Sequence, residues 1–362
     1  GYSCATDTSG NVYLAGETES TTGIATTGAH QTTYGGGYYD AFLVKFNSSG
    51  VRQWGTYYGG TVEDIGTSCA TDASGNVYLA GRTESTTAIT TTGAHQTTFG
   101  GNNDAFLVKF NSSGVRQWGT YYGGTAFDSG ISCATDASGN VYLVCSTLST
   151  TGIATTGAHQ TTPGGDYDAF LVKFNSSGVR QWGTYYGGTA FDSGISCATD
   201  ASGNVYLAGY TSSTTGIATT GAHQTSNGGG SYDAFLVKFN SSGVRQWGTY
   251  YGGTAYDYGV SCATDTSGNV YLAGETQSIT GIATTGAHQT TIAGSYDAFL
   301  VKFNSSGVRQ WGTYYGGTVE DIGTSCATDA SGNVYLAGRT DSWTGIATTG
   351  AHQTTYGGGS YD

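Results

Sequence analysis

Short apolar bursts, separated by breaks rich in Gly, Ser and Asn, run along the whole chain. The stretch from Ser68 shows the pattern. Ser68-Cys69-Ala70-Thr71-Asp72 is followed by the break Ala73-Ser74-Gly75-Asn76 and then by Val77-Tyr78-Leu79-Ala80-Gly81. β-branched and aromatic residues on either side of a Gly/Asn turn predict a hairpin, because Gly and Asn tolerate the positive φ that tight turns need. An irregular Thr/Gly-rich connection then leads to Asp104, and Ala105-Phe106-Leu107-Val108-Lys109-Phe110 follows. That burst is apolar on both alternations, which predicts a strand buried on both faces. Asn111-Ser112-Ser113-Gly114 turns the chain again, and Val115 to Tyr122 reads as a fourth strand.

The pattern repeats almost verbatim. The string GNVYLAG begins at Gly10, Gly75, Gly203, Gly268 and Gly332, with the variant GNVYLVC at Gly139, a spacing of 64 or 65 residues. The block DAFLVKFNSSGVRQWGTYYGG begins at Asp40, Asp104, Asp168, Asp233 and Asp297. Four antiparallel strands per unit, in tandem, predict an all-β fold: a β-propeller of four-stranded antiparallel blades, about 64 residues per repeat, in five complete units and a half unit. The units start near residues 1, 66, 130, 194, 259 and 323 and are expected to form a single domain over 1–362, as part of a longer chain. Trp54, Trp118, Trp182, Trp247 and Trp311, one per fourth strand, are expected between blades. A β-solenoid is the competing repeat architecture, but two hairpins per unit fit its one-way winding badly.

Composition narrows the picture. The chain has 62 Gly with a single Pro, which excludes collagen, and 28 Tyr with 13 Phe, too aromatic for disorder. Its formal charge is −13, and its few bases are spread one Lys and one Arg per complete repeat, with Arg82 and Arg339 besides, so nucleic acid and anionic membrane are poor partners. No apolar run is long enough for a membrane-spanning helix, and no membrane insertion is expected.

Several strings in fixed order carry a resemblance. VYLAG, then TTGAHQTTYGG leading to DAFLVKFNSSG, then QWGTYYGGT and CATDASGN resemble the SBBP family, the β-propeller repeat of bacterial secreted and surface proteins. The resemblance runs through every repeat. It implies a propeller in an extracellular or cell-surface setting, commonly within a large modular protein, and it implies no catalytic residues. One departure is the His of GAHQTT, where such repeats often carry an aromatic.

Strand direction sorts the loops. The DASGN and NSSG turns fall at one end of each unit. The long connection, the Asp104-type residue and the GGTAFDSG-type link fall at the other, the loop end. Copies differ mainly there: Val62-Glu63-Asp64-Ile65, Ala126-Phe127-Asp128-Ser129, Ala190-Phe191-Asp192-Ser193 and Ala255-Tyr256-Asp257-Tyr258 occupy one position. A ligand face is therefore read at Tyr34, Tyr39, His30, Asp128, Tyr167, Asp192, Tyr232 and Asp257, with Tyr38 beside them.

Each chemically capable residue type has a plain reading too. Cys4, Cys69, Cys133, Cys197, Cys262 and Cys326 recur at one position and Cys145 is extra; small buried side chains are favoured over a disulfide framework. His30, His95, His159, His223, His288 and His352 stand one per repeat, without a second ligand nearby, so no metal is assigned. The turns Asp7 to Asn11 and their copies faintly resemble calcium loops but lack the carboxylates, and Asp is expected to accept turn amides. A calcium site from Asp128 and Asp104 is unsupported, and no other cofactor is expected. Asn47 and its copies open Asn-Ser-Ser, a formal glycosylation acceptor read here as a turn. No nucleophile elbow, P-loop or HExxH occurs.

Symmetry argues against an enzyme, since catalysis needs one asymmetric constellation and here every candidate recurs. The expected function is a non-enzymatic extracellular structural or adhesive scaffold, within a larger surface assembly. Its partners would be copies of itself or neighbouring repeats, met through the unpaired half unit. The alternative is a multivalent glycan-binding module using the loop end. A hydrolase or lyase ranks last, on fold analogy alone.

Overall fold

The computed structural model describes residues 1–362 and contains only strands, turns and loops. The first sheet comprises β1 (Ser3–Thr6), β2 (Val12–Thr18), β3 (Asp40–Phe46) and β4 (Arg52–Tyr58). The second comprises β5 (Asp64–Thr71), β6 (Val77–Thr83), β7 (Asp104–Phe110) and β8 (Arg116–Tyr122), and the third β9 (Asp128–Thr135), β10 (Val141–Thr147), β11 (Asp168–Phe174) and β12 (Arg180–Tyr186). The fourth holds β13 (Asp192–Thr199), β14 (Val205–Thr211), β15 (Asp233–Phe239) and β16 (Arg245–Tyr251); the fifth β17 (Asp257–Thr264), β18 (Val270–Thr276), β19 (Asp297–Phe303) and β20 (Arg309–Tyr315). A two-stranded sheet, β21 (Asp321–Thr328) and β22 (Val334–Thr340), follows. Each four-stranded sheet is an antiparallel meander in chain order. Contacts divide the chain into two compact units, Gly1–Tyr186 and Gly187–Asp362.

The turns form for the reasons legible in their residues. Asp72 Oδ1 accepts the amide N–H groups of Ser74 and Asn76 at 2.9 and 3.0 Å, and Asn111 Oδ1 accepts those of Ser113 and Val115 at 3.0 Å. Both side chains close their turns on the backbone, as Asx residues do. Gly75 at φ 76° and Gly114 at φ 79° supply the left-handed positions.

Two bulges recur in each complete sheet from the second onward. In the second sheet the β5–β6 register shifts between Gly66 and Ser68, and the β7–β8 register between Lys109 and Phe110. Because Lys109 pairs Trp118 and Phe110 pairs Arg116, Gln117 is the extra residue of the outer bulge and its side chain is exposed. Bulges of this kind re-aim side chains and end pairing.

The third strand of each sheet is its core. Every residue of Asp104–Phe110 is buried, as the two-faced apolar run requires. Neighbouring sheets within each unit then lock at two levels. Along the first strands, the Cys69 N–H donates to Ser3 Oγ at 3.1 Å and the Thr71 hydroxyl to the Thr6 carbonyl at 2.7 Å. Cys133 with Ser68 and Thr135 with Thr71 repeat these bonds, as do Cys262 with Ser196 and Thr264 with Thr199 in the second unit. At the outer strands, the Trp118 indole N–H donates to the Ser176 carbonyl at 3.1 Å, and Lys109 Nζ donates to the same carbonyl. A Cβ at Gly178 would stand 2.8 Å from Trp118 Cδ2, so that turn glycine lies directly on the indole.

The long connection corrects one expectation. It does not stay at the loop end but runs back along the outer strand. The Thr91 N–H donates to the Gly119 carbonyl at 3.0 Å and the Tyr121 N–H to the Gln96 carbonyl at 3.2 Å. It therefore covers the open edge of β8, and equivalent bonds cover β4, β12, β16 and β20. A covered edge is one way a sheet avoids pairing with foreign strands. The outer edge of β22 is different: Thr340 and Asp362 exchange backbone bonds of 2.9 Å, and the rest of β22 has no third strand beside it. Tyr335 is 60 % exposed there, against 0 % for its counterpart Tyr78.

Candidate functional site

The loop end carries two arrangements, and the gaps between sheets carry a third. At the loop end the first residues of the third and following first strands converge as pairs of buried carboxylates. Asp233 and Asp257 both face Gly252, where a Cβ would stand 2.5 Å from Asp257 Oδ2 and 3.1 Å from Asp233 Cγ. Asp104 and Asp128 face Gly123 in the same way, at 2.8 and 2.7 Å from their oxygens. Asp257 is saturated: Thr276 donates to its Oδ1, and Ser278 Oγ and the Gly253 N–H donate to Oδ2 at 2.8 Å each. Asp233 Oδ2 accepts from the Gly228 N–H at 2.7 Å and Gln224 Nε2 at 3.0 Å, while its Oδ1 is buried without a hydrogen-bond partner. Asp40 and Asp104 have the same orphan oxygen.

Burial, with the neighbouring carboxylate adding to it, pushes Asp233 up to about 7 and Asp104 up to about 6. Such a pair suits a shared proton. Calcium asks for six to eight oxygens, whereas three of the four here already accept hydrogen bonds, and no group of three or more His, Cys, Asp or Glu converges.

The residues read as a ligand face are placed as follows. Asp128 and Asp257 are wholly buried in these pairs, and Asp192 is wholly buried with its carboxylate accepting from Thr211, Ser213 and the Gly188 N–H. The Tyr34 ring stands edge-on to Tyr57 at 6.2 Å and its hydroxyl donates to the Gly37 carbonyl at 3.0 Å. Tyr39 is half-buried beside Glu19, and Tyr167 stacks on Phe127 at 6.4 Å. Tyr232 belongs to a cluster with Phe191, Tyr210, Tyr256 and Tyr258, in which Tyr210 and Tyr258 approach to 4.7 Å. Divergence between copies at the loop end is thus a change of packing partners: Arg82 and Glu63 form an ion pair of 3.1 Å where the later copy has Tyr210 and Phe191. Tyr38 alone of the residues read as a ligand face stands largely free, at 80 % exposure. His30 is not with them. It lies between sheets, 6.0 Å from the Tyr58 ring and 5.7 Å from Phe110, and burial holds it down to about 4.

That gap is the third arrangement, a cleft between the outer edge of one sheet and the Asn-Ser-Ser-Gly turn of the next. Between the second and third sheets it encloses about 700 Å³ and is lined by Thr92, His95, Gln117, Trp118, Ser177 and Arg180 among others. The same cleft recurs between the first and second sheets at about 410 Å³, and between the fourth and fifth at about 850 Å³. Its floor is built by the indole. His95 stands exposed at the rim, 5.6 Å from Tyr122 and 5.9 Å from Phe174, and burial of one side together with Arg180 lowers its pKa. Thr92, Gln117 and Ser177 are exposed, Gln117 because of its bulge. Sequence reading missed this cleft; its signal was the verbatim return of TTGAH, RQW and NSSGVR, which were read as separate turns and strands.

The remaining chemistry is internal. Cys69, Cys133, Cys262 and Cys326 are buried free thiols, and burial pushes Cys69 and Cys133 up to about 12, so they are poor nucleophiles. Lys109 Nζ lies 3.5 Å from Asp72 and over the Tyr78 ring, inside the sheet.

Residues 246–280 match the profile of the SBBP family, described as Beta-propeller repeat, which is the family that the recurring strings resemble. The matched string has near-identical counterparts in the other repeats. A curated relative, the "Regulatory protein FlaEY" of Caulobacter vibrioides, is 26 % identical over 196 residues, covering 52 % of this chain. The matched stretch spans a fifth of that relative's length.

Proposed function

We propose that each four-stranded sheet is one blade of a β-propeller, and that the array is a non-enzymatic scaffold module of a secreted or surface-bound bacterial protein. The observation that carries this reading is the recurrence of the same polar side chains in the same internal bonds in sheet after sheet. Turn carboxylates close turns, strand lysines neutralise them, thiols are buried, and indoles tie neighbouring sheets. A catalytic centre would need one sheet to depart from the rest with a free acid, base or nucleophile. The first strands lock side by side and the outer strands are capped, as in blades packed face to face. A similar stretch inside a much longer bacterial protein supports the role of module. No helix is long and apolar enough to cross a membrane, which leaves a β-barrel untouched by the argument.

The test is antibody labelling of source cells before and after permeabilisation. Label on intact cells is the expected result. Label seen only after permeabilisation would overturn the extracellular assignment.

A further inference from the structure

The clefts between sheets offer a chemistry that the scaffold itself does not require. Their linings contain no carboxylate and no thiol. Of the two bases that reach them, Lys109 is engaged with Asp72 and the Ser176 carbonyl, and Arg180 lies 3.4 Å from the Tyr122 hydroxyl. Beside the half-exposed Arg180, what faces solvent is amphoteric and neutral: the hydroxyls of Thr92 and Ser177, the amide of Gln117, whose Nε2 also donates to the Val115 carbonyl at 3.0 Å, and the imidazole of His95. The His95 ring, held neutral near pH 7, offers one donor and one acceptor. Thr220, Gln246, His223 and Ser306 present the same set in the second unit.

The bulge at Gln117 turns its side chain outward, with Nε2 donating back to the Val115 carbonyl at 3.0 Å and Oε1 left towards the cleft. The bulge recurs in the first, third, fourth and fifth sheets, which turns Gln53, Gln181, Gln246 and Gln310 outward at the same place. A bulge kept at one position is a way to aim a side chain.

We infer that each cleft binds a segment of a neutral saccharide. Sugar hydroxyls both donate and accept, which matches Thr, Ser, Gln and neutral His better than it matches a charged or an apolar ligand. A pyranose C–H face fits against the exposed side of the imidazole, whose other side rests on Tyr122. The larger clefts, about 700 and 850 Å³, fall in the ordinary range for small-molecule sites of about 300–1,000 Å³. With no acid–base pair of carboxylates in the lining, bound sugar is held and not cleaved. Similar clefts recurring between sheets suit a polysaccharide, because engaging several at once multiplies a weak individual affinity. The net charge of −13 disfavours acidic polysaccharides.

This inference rests on the reading of the chain as a non-enzymatic module, and one experiment separates the two. The intact chain is titrated calorimetrically with cello-, malto-, chito- and manno-hexaose, and the products are checked by mass spectrometry. At least one hexaose is expected to bind in more than one copy per chain, unchanged after incubation. The triple variant Gln53→Ala, Gln117→Ala, Gln246→Ala is expected to weaken it at least tenfold with an unchanged melting temperature, whereas Tyr38→Ala at the loop end leaves it intact. If none of the four binds, or if the triple variant binds as the parent does, the cleft assignment falls and the scaffold stands. If a hexaose binds and is cleaved, the non-enzymatic reading falls and the cleft stands.

Discussion

The melting temperature of this protein is expected to fall as the pH rises from about 5 to 8, and Asp233→Asn is expected to remove part of that fall. Asp233 has a folded-state pKa raised from the usual carboxylate value to about 7, with Asp64 and Asp104 at about 6. A raised folded pKa means that the native state holds protons the unfolded chain has lost. The stabilisation is therefore complete below about pH 4 and lost as pH climbs through 6 to 7. Because Asp233 and Asp257 face one another, the loss belongs to the pair. The groups facing it are Asp257 across Gly252, and the Tyr250 phenol; Gln224, Gly228 and the hydroxyls of Thr276 and Ser278 complete the surroundings. None is a cation.

Two sets of groups act in the opposite sense. The turn carboxylates Asp72, Asp200 and Asp265 are held low by the amides of Asn76, Asn204 and Asn269 and the nearby lysines, so their contribution is lost only below about pH 4. His30 and His223 are lowered to about 4 by burial, and their contribution is lost as pH falls from about 6.5 to 4. The His223 ring is exposed at the cleft, so solvent screens it, whereas Asp233 is fully shielded. The carboxylates therefore dominate. Asp233→Asn places an uncharged amide beside Asp257, and its melting curve should flatten with pH and lie above the parent at pH 8. Thermal melts by circular dichroism across pH 4–9 decide it. A parent that is most stable at pH 8, with an Asn variant weaker throughout, would mean the carboxylate is ionised in the fold.

The second large effect is expected at the indoles. Trp118 is 9 % exposed, donates to Ser176, and lies 6.3 Å from Phe174 of the next sheet and 6.0 Å from Tyr78 of its own. Removing it leaves a cavity under Gly178 and takes one of two donors from the Ser176 carbonyl, so Trp118→Ala should cost about 3–5 kcal/mol. The loss falls on an interface between neighbouring repeats, and cooperativity should drop with stability. Urea unfolding should then show a lower midpoint and a shallower or split transition, with faster amide exchange in β9 to β12. A variant with the parent's midpoint would show that the sheets are held by the first strands alone.

The repeat, the four strands, their order and the turn residues could be read from the chain because each depends on local chemistry. Gly75 and Asp72 make a turn wherever they stand, and Ala105–Phe110 is apolar on both faces only if both are covered. The same holds for the indoles, whose position on the outer strand forces them towards a neighbour. The long connection was misplaced because Thr and Gly carry no periodic signal. Its path along β8 follows from tertiary bonds such as Tyr121 to Gln96. Bulges were invisible for the same reason: nothing about Gln117 by itself says that it is the residue left unpaired. The carboxylate pairs were half legible. Asp104 and Asp128 could be placed at one end together, but their burial and the orphan oxygen arise from the glycine that lets both approach.

The claim that ties these features together is the proposal that the sheets within each unit are blades, packed against one another at their first and outer strands. A crystallographic density map of the chain tests it most directly. The expected map shows β5 beside β1 and β9, β17 beside β13 and β21, and the indoles of Trp118 and Trp247 bonded to the Asn-Ser-Ser-Gly turn of the next sheet. A map in which these first strands do not neighbour one another, with the indoles turned to solvent, would contradict it.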